Sequence, residues 1–276
     1  MQTRTLIISA VVLFASCKSN IELNYDKPDA KVIFLHHSTG MNVYSGKREL
    51  LSYLSRKFEK YTVPRLIQNY NETNGKKYAI KEQSFPKGSP YGWNNYPFDY
   101  YNIWVKNAGQ ESYKDEPTLE ILSKGYDVII FKHCFPVSGI QEDDSISDIN
   151  SYKKTYSNYV LQYKAIKQKL KEFSNTKFIV WTGAALTKNT TTEEEALRAE
   201  KFFDWVVNEW DEENDNIFIW DFRKLQTEDG LYFADDKAKK ADDPHLSSEF
   251  SEIVAAEFAK KIIYVIEYDL ENNIID

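Results

Sequence analysis

Residues 31–40 read Lys-Val-Ile-Phe-Leu-His-His-Ser-Thr-Gly. The apolar part has the length of one buried strand, and it stops abruptly at small hydroxyl residues and a glycine. A strand that ends at Leu35 or His36 places Ser38 in the turn beyond it, and Gly40 is expected to relieve the backbone crowding of that turn. The stretch therefore predicts a strand that presents a serine at its carboxyl end.

Further apolar runs of strand length follow along the chain. The predicted strands are residues 32–36, 78–83, 128–132, 177–181 and 217–221. Most are rich in Val, Ile, Phe or Trp. The run at 128–131 does not alternate between apolar and polar residues, as expected for a strand that is covered on both faces.

Helical patterns lie between these strands, at residues 47–61, 152–173, 192–210 and 247–266. Strands that alternate with helices form βαβ units, so the sequence predicts one α/β domain, a five-stranded parallel sheet with helices on both faces. Ligands of such sheets bind at the carboxyl ends of the strands. Ser38, His133, Thr182 and His245 are all expected at that edge.

A second short motif, Asp-Asp-Pro-His at residues 242–245, precedes the last predicted helix. Asp242 lies three residues before His245, a separation that lets a carboxylate reach the nearer imidazole nitrogen on a loop or a first helical turn. The other nitrogen would then face Ser38. Nucleophile, base and orienting acid are the parts of a serine hydrolase, and this chemistry requires no cofactor or metal.

Residues 84–116 interrupt the alternation with a long insertion rich in Pro, Gly, Asn and aromatic residues. An insertion at the ligand edge often forms a substrate wall, and aromatic faces there stack on sugar rings or hold acyl groups. We expect Tyr91, Trp93 and Tyr96 to form such a wall. The alternative is a small satellite core that holds the loop down, and the two interpretations are compatible.

The amino terminus has the pattern of a secretory signal. Residues 1–16 hold one positive charge, Arg4, then an apolar run and two small residues directly before Cys17. The run is too short to span a membrane in the mature protein, and it resembles a bacterial lipoprotein signal, in which the cysteine is lipidated. We expect residues 17–30 to be a tether and residues 31–276 the folded domain. An ordinary signal peptide is the alternative.

Export across the inner membrane and a lipid anchor in the bacterial envelope, on its periplasmic or cell-surface side, are therefore predicted. Removal of Arg4 with the signal changes the formal net charge from −7 to −8, which argues against nucleic acid or anionic lipid as a partner. With Cys17 lipidated, Cys134 is the one cysteine left of 2, so no intramolecular disulfide is expected. The oligomeric state is not predicted by these features.

Together these residues resemble the SGNH or GDSL-like hydrolase superfamily. The resemblance implies a flavodoxin-like α/β/α sandwich, with Ser38 in the nucleophile's place, His245 in the base's and Asp242 in the orienting acid's. It implies an esterase that removes acyl groups from a carbohydrate, a polysaccharide or a related small-molecule or cell-envelope ester. The topology covers residues 31–262, whereas the motif match is a handful of residues.

Two departures mark a divergent branch. His36-His37 stands where the family has Gly-Asp, and Phe-Lys-His-Cys-Phe-Pro-Val-Ser-Gly at residues 131–139 lacks the asparagine that follows the third strand in the family. Loss of one oxyanion donor costs about 3 to 4 kcal/mol of transition-state stabilisation, so other groups must serve. The candidates are the backbone N–H groups of Ser38 and Thr39, those of Gly88 and Gly92, and the side chains of His133 and Asn42.

Three other interpretations remain open. Cys134 is a conceivable nucleophile, although a lone cysteine at a strand end is more often buried structure. The four histidines, His36, His37, His133 and His245, would with Asp242 or Asp243 form a metal site, but adjacent histidines on a strand point to opposite faces. A surface-tethered glycan-binding protein with the same fold would have no need of the serine, histidine and acid.

Overall fold

A computed structural model describes residues 22–47 and 61–269, which contain a three-layer α/β/α sandwich. Its central sheet has five parallel strands in the order β2-β1-β3-β4-β5. The strands are β1 (Ala30–His36), β2 (Tyr78–Ser84), β3 (Val128–Phe131), β4 (Lys177–Trp181) and β5 (Ile217–Trp220). All five predicted strands are confirmed, and the order is that of a flavodoxin-like sheet.

The helices surround this sheet and connect its strands. In chain order they are α1 (Ser38–Ser45), α2 (Thr62–Asn74), α3 (Pro97–Tyr101), α4 (Leu119–Gly125), α5 (Tyr156–Lys171), α6 (Glu193–Trp205), α7 (Phe222–Thr227) and α8 (Ser248–Glu267). Wider π-helical turns, Asn102–Lys106 and Val206–Trp210, continue α3 and α6. The predicted helices at 152–173, 192–210 and 247–266 are confirmed. The one at 47–61 falls almost entirely outside the described residues.

Side chains that alternate along the strands form two cores, one on each face of the sheet. Val32 and Phe34 of β1 pack beneath α1, α2 and α8, whereas Ile33 and Leu35 face the aromatic insertion, α5 and α6. Every residue of β3 is buried, which confirms that this strand is covered on both faces. The sheet is thus a rigid support for the residues at its carboxyl edge.

Hydroxyl and carboxylate side chains begin several of these helices. The side chains of Thr155, Thr192 and Ser247 each accept a hydrogen bond from the backbone N–H three residues on, at the starts of α5, α6 and α8. These caps satisfy donors that a helix otherwise leaves open. Within the part of the chain that the structure describes, no helix is long and apolar enough to cross a membrane.

The segment before β1 is not the free tether that its polar sequence predicts. Leu23 forms an antiparallel bridge with Ile80 on the outer edge of β2, with N–O distances of 3.0 and 2.9 Å, and its side chain is buried. Asp29 also accepts a hydrogen bond from the backbone N–H of Lys77 through its side chain. Residues 22–29 therefore belong to the folded domain, because β2 offers them an unpaired strand edge.

Gly40 has a different role from the one predicted. It lies inside α1 rather than in a strained turn, and a Cβ added there would lie 2.5 Å from Cβ of His36. The absent side chain lets the His36 ring pack against the helix. Gly40 thereby sets how closely α1, with Ser38 at its start, approaches the end of β1.

Gly40→Ala is expected to destabilise the protein by about 1 to 3 kcal/mol, because a methyl group would overlap a buried ring. Gly125→Ala is the matched control, since it also changes a helical glycine and its Cβ would meet no atom within 4 Å. Chemical denaturation of both variants measures the difference. Equal stabilities for the two variants would show that the His36 contact does not constrain α1.

Candidate active site

The candidate site lies where the chain direction reverses in the sheet, between β1 and its neighbour β3. In this strand order the chain leaves β1 for β2 on one side and returns to β3 on the other, which opens a crevice at the carboxyl ends. Ser38 follows β1 and Cys134 follows β3. The Ser38 Oγ and Cys134 Sγ atoms are 3.5 Å apart, so both residues line this crevice.

Ser38 is solvent-exposed and is the first residue of α1. The first N–H groups of a helix have no intrahelical acceptor, and the N-cap residue His37 supplies none from its side chain. The His37 ring instead contacts the backbone carbonyl of Pro86, with Nε2 2.5 Å from the oxygen. The N–H groups of Ser38 and Thr39 are therefore placed as donors to an anion at the positive end of a helix.

The acid that contacts His245 is Asp243, not the predicted Asp242. Asp243 Oδ1 lies 2.6 Å from His245 Nδ1, and Lys239 Nζ lies 3.0 Å from Asp243 Oδ2. The hydrogen bond with His245, and to a smaller extent the one with Lys239, holds the pKa of Asp243 well below its usual range. Asp242 is exposed. The orienting carboxylate is thus ionised, and His245 Nε2 is left for another partner.

The correction follows from local backbone conformation. Asp243, Pro244 and His245 lie in β7 (Asp243–Leu246), which pairs with β6 (Ala238–Lys240) in an antiparallel hairpin, and Asp242 lies in the turn between the two strands. Side chains two apart in a strand share a face, so Asp243 and His245 point the same way, whereas Asp242 precedes the strand. Pro244 was the signal in the sequence, since a residue before proline favours extended backbone.

His245 reaches the crevice from the hairpin, which packs against α1. Its ring lies edge-on to Phe135, with centroids 5.1 Å apart, and Phe135 directly follows Cys134. The structure therefore places Ser38 and His245 on neighbouring elements, α1 and β7. It does not join them by a hydrogen bond, since the contact described for Ser38 Oγ is Cys134 Sγ.

The other histidines do not converge on His245. His36 is buried with Nε2 3.1 Å from Glu82 Oε2, and His37 contacts Pro86 as described above. His133 lies on the opposite side of β3, edge-on to Tyr100 with ring centroids 4.5 Å apart. Within residues 22–47 and 61–269, no three His, Cys, Asp or Glu side chains are placed to hold a metal ion.

Burial also removes His133 as an oxyanion donor. Its side chain is fully buried among Tyr100, Phe131 and Tyr163, and burial lowers its pKa to about 3, so the ring is neutral. The sequence prediction failed because residues 131–133 still alternate across the sheet after β3 ends. His133 therefore faces the aromatic core beside Phe131.

Two of the remaining oxyanion candidates are also placed unfavourably. The Gly92 N–H already donates to the carbonyl of Gly88, with an N–O distance of 2.6 Å, and both glycines are exposed. Asn42 lies one helical turn after Ser38, and its Oδ1 is buried without a hydrogen-bond partner in the described structure. An amide oxygen accepts and does not donate, so this observation gives Asn42 no donor role, and the N–H groups of Ser38 and Thr39 are the candidates that the geometry favours.

Most of the aromatic insertion is core rather than wall. Of the predicted wall residues, Trp93 and Tyr96 are buried, and only Tyr91 exposes much of its ring, 41%. The Tyr91 hydroxyl donates to Asp115 Oδ2 at 3.0 Å. Helix α3, which the sequence analysis missed, and the turn after it pack Tyr100, Tyr101 and Trp104 against the sheet. Burial of these rings stabilises the fold.

The insertion nevertheless shapes the crevice through Asn95. The Cys134 N–H donates to both the backbone and the side-chain oxygen of Asn95, each at 3.0 Å, and the Asn95 amide donates to the Phe85 carbonyl. Asp99 in turn accepts the N–H groups of Asn94 and Asn95 at 2.7 Å. These buried contacts fix the position of Cys134 beside Ser38, and no sequence motif indicated them.

No protein-family model and no curated protein matches this chain. A solved gut microbial diltiazem-metabolizing enzyme is similar, with 14% identity and a TM-score of 0.48 over 85% of this chain and 47% of that one. A family two carbohydrate esterase from Cellvibrio japonicus has 10% identity and a TM-score of 0.45 over 87% of this chain and 62% of that one.

A third similar structure is a carbohydrate esterase whose active site displays divergent catalytic and non-catalytic binding functions. It has 12% identity and a TM-score of 0.37 over 87% of this chain and 67% of that one. This chain spans about half the length of the diltiazem-metabolizing enzyme and less than two thirds of the Cellvibrio esterase. Similarity at this level does not assign an activity, so any activity has to be argued from the site.

Proposed function

We propose that this protein is a serine hydrolase that cleaves carboxylic esters, with Ser38 as nucleophile, His245 as general base and Asp243 as orienting acid. The observation that carries the proposal is the hydrogen-bonded pair of Asp243 and His245 at the edge where an exposed serine begins a helix. Hydrogen bonds between catalytic side chains are often long or absent in the free enzyme, and they form when the substrate binds. The missing Ser38–His245 hydrogen bond is compatible with this role.

In the proposed reaction, Ser38 Oγ attacks the ester carbonyl while His245 Nε2 takes its proton. Asp243 holds Nδ1 of the ring, which fixes the tautomer and stabilises the imidazolium that forms. The N–H groups of Ser38 and Thr39 receive the developing oxyanion. Protonated His245 then returns the proton to the departing alcohol, and water attacks the acyl-enzyme in a second step with His245 again as base.

A carbohydrate or cell-envelope ester is the substrate class we propose. An exposed Tyr91, with its hydroxyl held by Asp115, offers one ring for stacking on a sugar. The signal and Cys17 lie outside the described residues, so export and lipid anchoring stay predictions from the sequence. An anchored enzyme would meet envelope polymers directly, and its membrane contact would be through the lipid alone.

A fluorophosphonate probe tests the nucleophile directly. We expect one adduct on Ser38, located by peptide mass spectrometry, because the serine oxygen displaces fluoride from phosphorus when a base activates it. His245→Ala should slow labelling by about 100-fold, the scale of general-base catalysis. The heat-denatured protein is the control and should not be labelled.

The same experiment separates an alternative function. Two features favour a glycan-binding protein that has lost catalysis: the Ser38 hydroxyl contacts Cys134 rather than His245, and the asparagine after β3 is missing. Such a protein would give no Ser38 adduct and no turnover of acetyl or short acyl esters. An adduct on a different serine would contradict both the nucleophile and the mechanism.

A further inference from the structure

Lys132 is a buried cationic side chain that the proposed reaction does not use. It follows β3 directly, its exposure is 1%, and its Nζ donates to Thr39 Oγ1 at 2.6 Å. Thr39 is the residue after Ser38, in the first turn of α1. In the described structure Lys132 has no carboxylate within ion-pair distance.

This arrangement is unfavourable in the resting protein. A buried ammonium group with one neutral acceptor loses much of its hydration, and burial accordingly lowers the pKa of Lys132. A cation near the amino terminus of a helix is also repelled by the positive end of the helix dipole. Burial and then the charge of Lys132 lower the pKa of both His36 and His133, and Glu82 contacts His36 rather than Lys132.

A negative charge at the start of α1 would reverse this balance. Such a charge forms in the proposed reaction, as the oxyanion on the N–H groups of Ser38 and Thr39. The chain also lacks the asparagine that the resembled family uses as a donor after the third strand, and Lys132 comes from the end of that same strand. Interactions that are stronger in the transition state than in the ground state are those that raise kcat.

We propose that Lys132 is a positioning residue of the oxyanion site, which fixes the first turn of α1 through Thr39 and supplies positive charge beneath it. This inference rests on the proposed esterase function. Lys132 does not touch the substrate, and it acts through the helix turn that carries the N–H donors. The buried hydrogen bond also ties the end of β3 to the start of α1 across the crevice.

Lys132→Met is the first test, because methionine fills a similar volume without charge. We expect kcat for a short acyl ester to fall by about 10-fold or more, less than the loss of a direct oxyanion donor, with KM changed by less than about twofold. Stability should be unchanged or higher, since a poorly compensated buried charge is removed. Lys167→Met is the matched control, because Lys167 is a buried lysine on α5 that pairs with Glu212, and this variant should keep the wild-type kcat.

Substitutions of Thr39 keep the test decisive if Lys132→Met fails to fold. Thr39→Val removes the acceptor at nearly constant volume and should lower kcat by about tenfold. Thr39→Ser retains the hydroxyl and should keep the wild-type kcat. A structural role alone would change stability and leave kcat intact. Wild-type kcat in folded Lys132→Met or Thr39→Val would overturn the proposal while Ser38-dependent turnover still stands. A wild-type protein without Ser38-dependent turnover would overturn this proposal and the esterase function together.

Discussion

Ser38→Ala is expected to lower kcat/KM for acetyl or short acyl esters by about a thousandfold or more, because loss of a nucleophile in a triad removes the covalent pathway. Binding should change little, since Ser38 is exposed and the change removes one oxygen atom. The fold should persist as well, because the contact described for the hydroxyl is the one with Cys134. Steady-state kinetics together with thermal denaturation separate these effects.

Two further serine and cysteine variants make this result specific. Ser123→Ala removes a helical hydroxyl that donates to the Leu119 carbonyl, remote in the chain from the crevice, and should leave kcat/KM at the wild-type value. Cys134→Ala removes the sulfur beside Ser38, and we expect a loss of at most about tenfold, the scale of altered positioning. If the thousandfold loss belonged to Cys134 rather than Ser38, the nucleophile would be the thiol.

The sheet could be predicted because its signal is contained in short segments. Each strand is an apolar run of suitable length, and the alternation with helical patterns then leaves a parallel sheet as the favoured arrangement. The position of Ser38 follows from the same reasoning, since it depends only on where β1 ends. Long helices such as α5 and α8 were also predicted, because their apolar periodicity extends over several turns.

Helices that have a proline in their first turn were missed. Pro64 lies in the first turn of α2 and Pro97 is the first residue of α3, where the missing proline N–H would have no helical partner in any case. Proline in an irregular stretch is easily taken for a loop signal instead. The aromatic residues around α3 were therefore expected to form a substrate wall or a satellite core, and most of them are buried against the sheet.

The contacts within the site depend on tertiary structure more than the strands and helices do. Nothing in the sequence near Lys132 indicates that it bonds Thr39, 93 residues earlier, because that contact exists only when β1 and β3 are neighbours. The choice between Asp242 and Asp243 depends on the β6–β7 hairpin in the same way. Because β7 begins at Asp243, that acid shares a strand face with His245, whereas Asp242 lies in the hairpin turn and is exposed.

Asp243→Asn is therefore expected to lower kcat by about 100-fold or more, whereas Asp242→Asn should retain the wild-type value within about twofold. Asparagine at 243 keeps the shape but presents an uncharged amide to Nδ1, which permits the wrong histidine tautomer and no longer stabilises the imidazolium. Asp242 is exposed and adjacent in sequence, so it controls for the change in charge and local composition. Steady-state kinetics of the two variants under identical conditions measure the contrast.

The contrast also tests the hairpin itself. A large loss for Asp242→Asn and none for Asp243→Asn would mean that residues 242–245 form a turn in the active protein, with the acid three residues before the histidine. Large losses of kcat in both variants would indicate that the combined negative charge of the two acids acts on His245, rather than one orienting carboxylate. Only the extended backbone of β7 makes the two neighbouring acids differ, because it alone places Asp243 and His245 on one face.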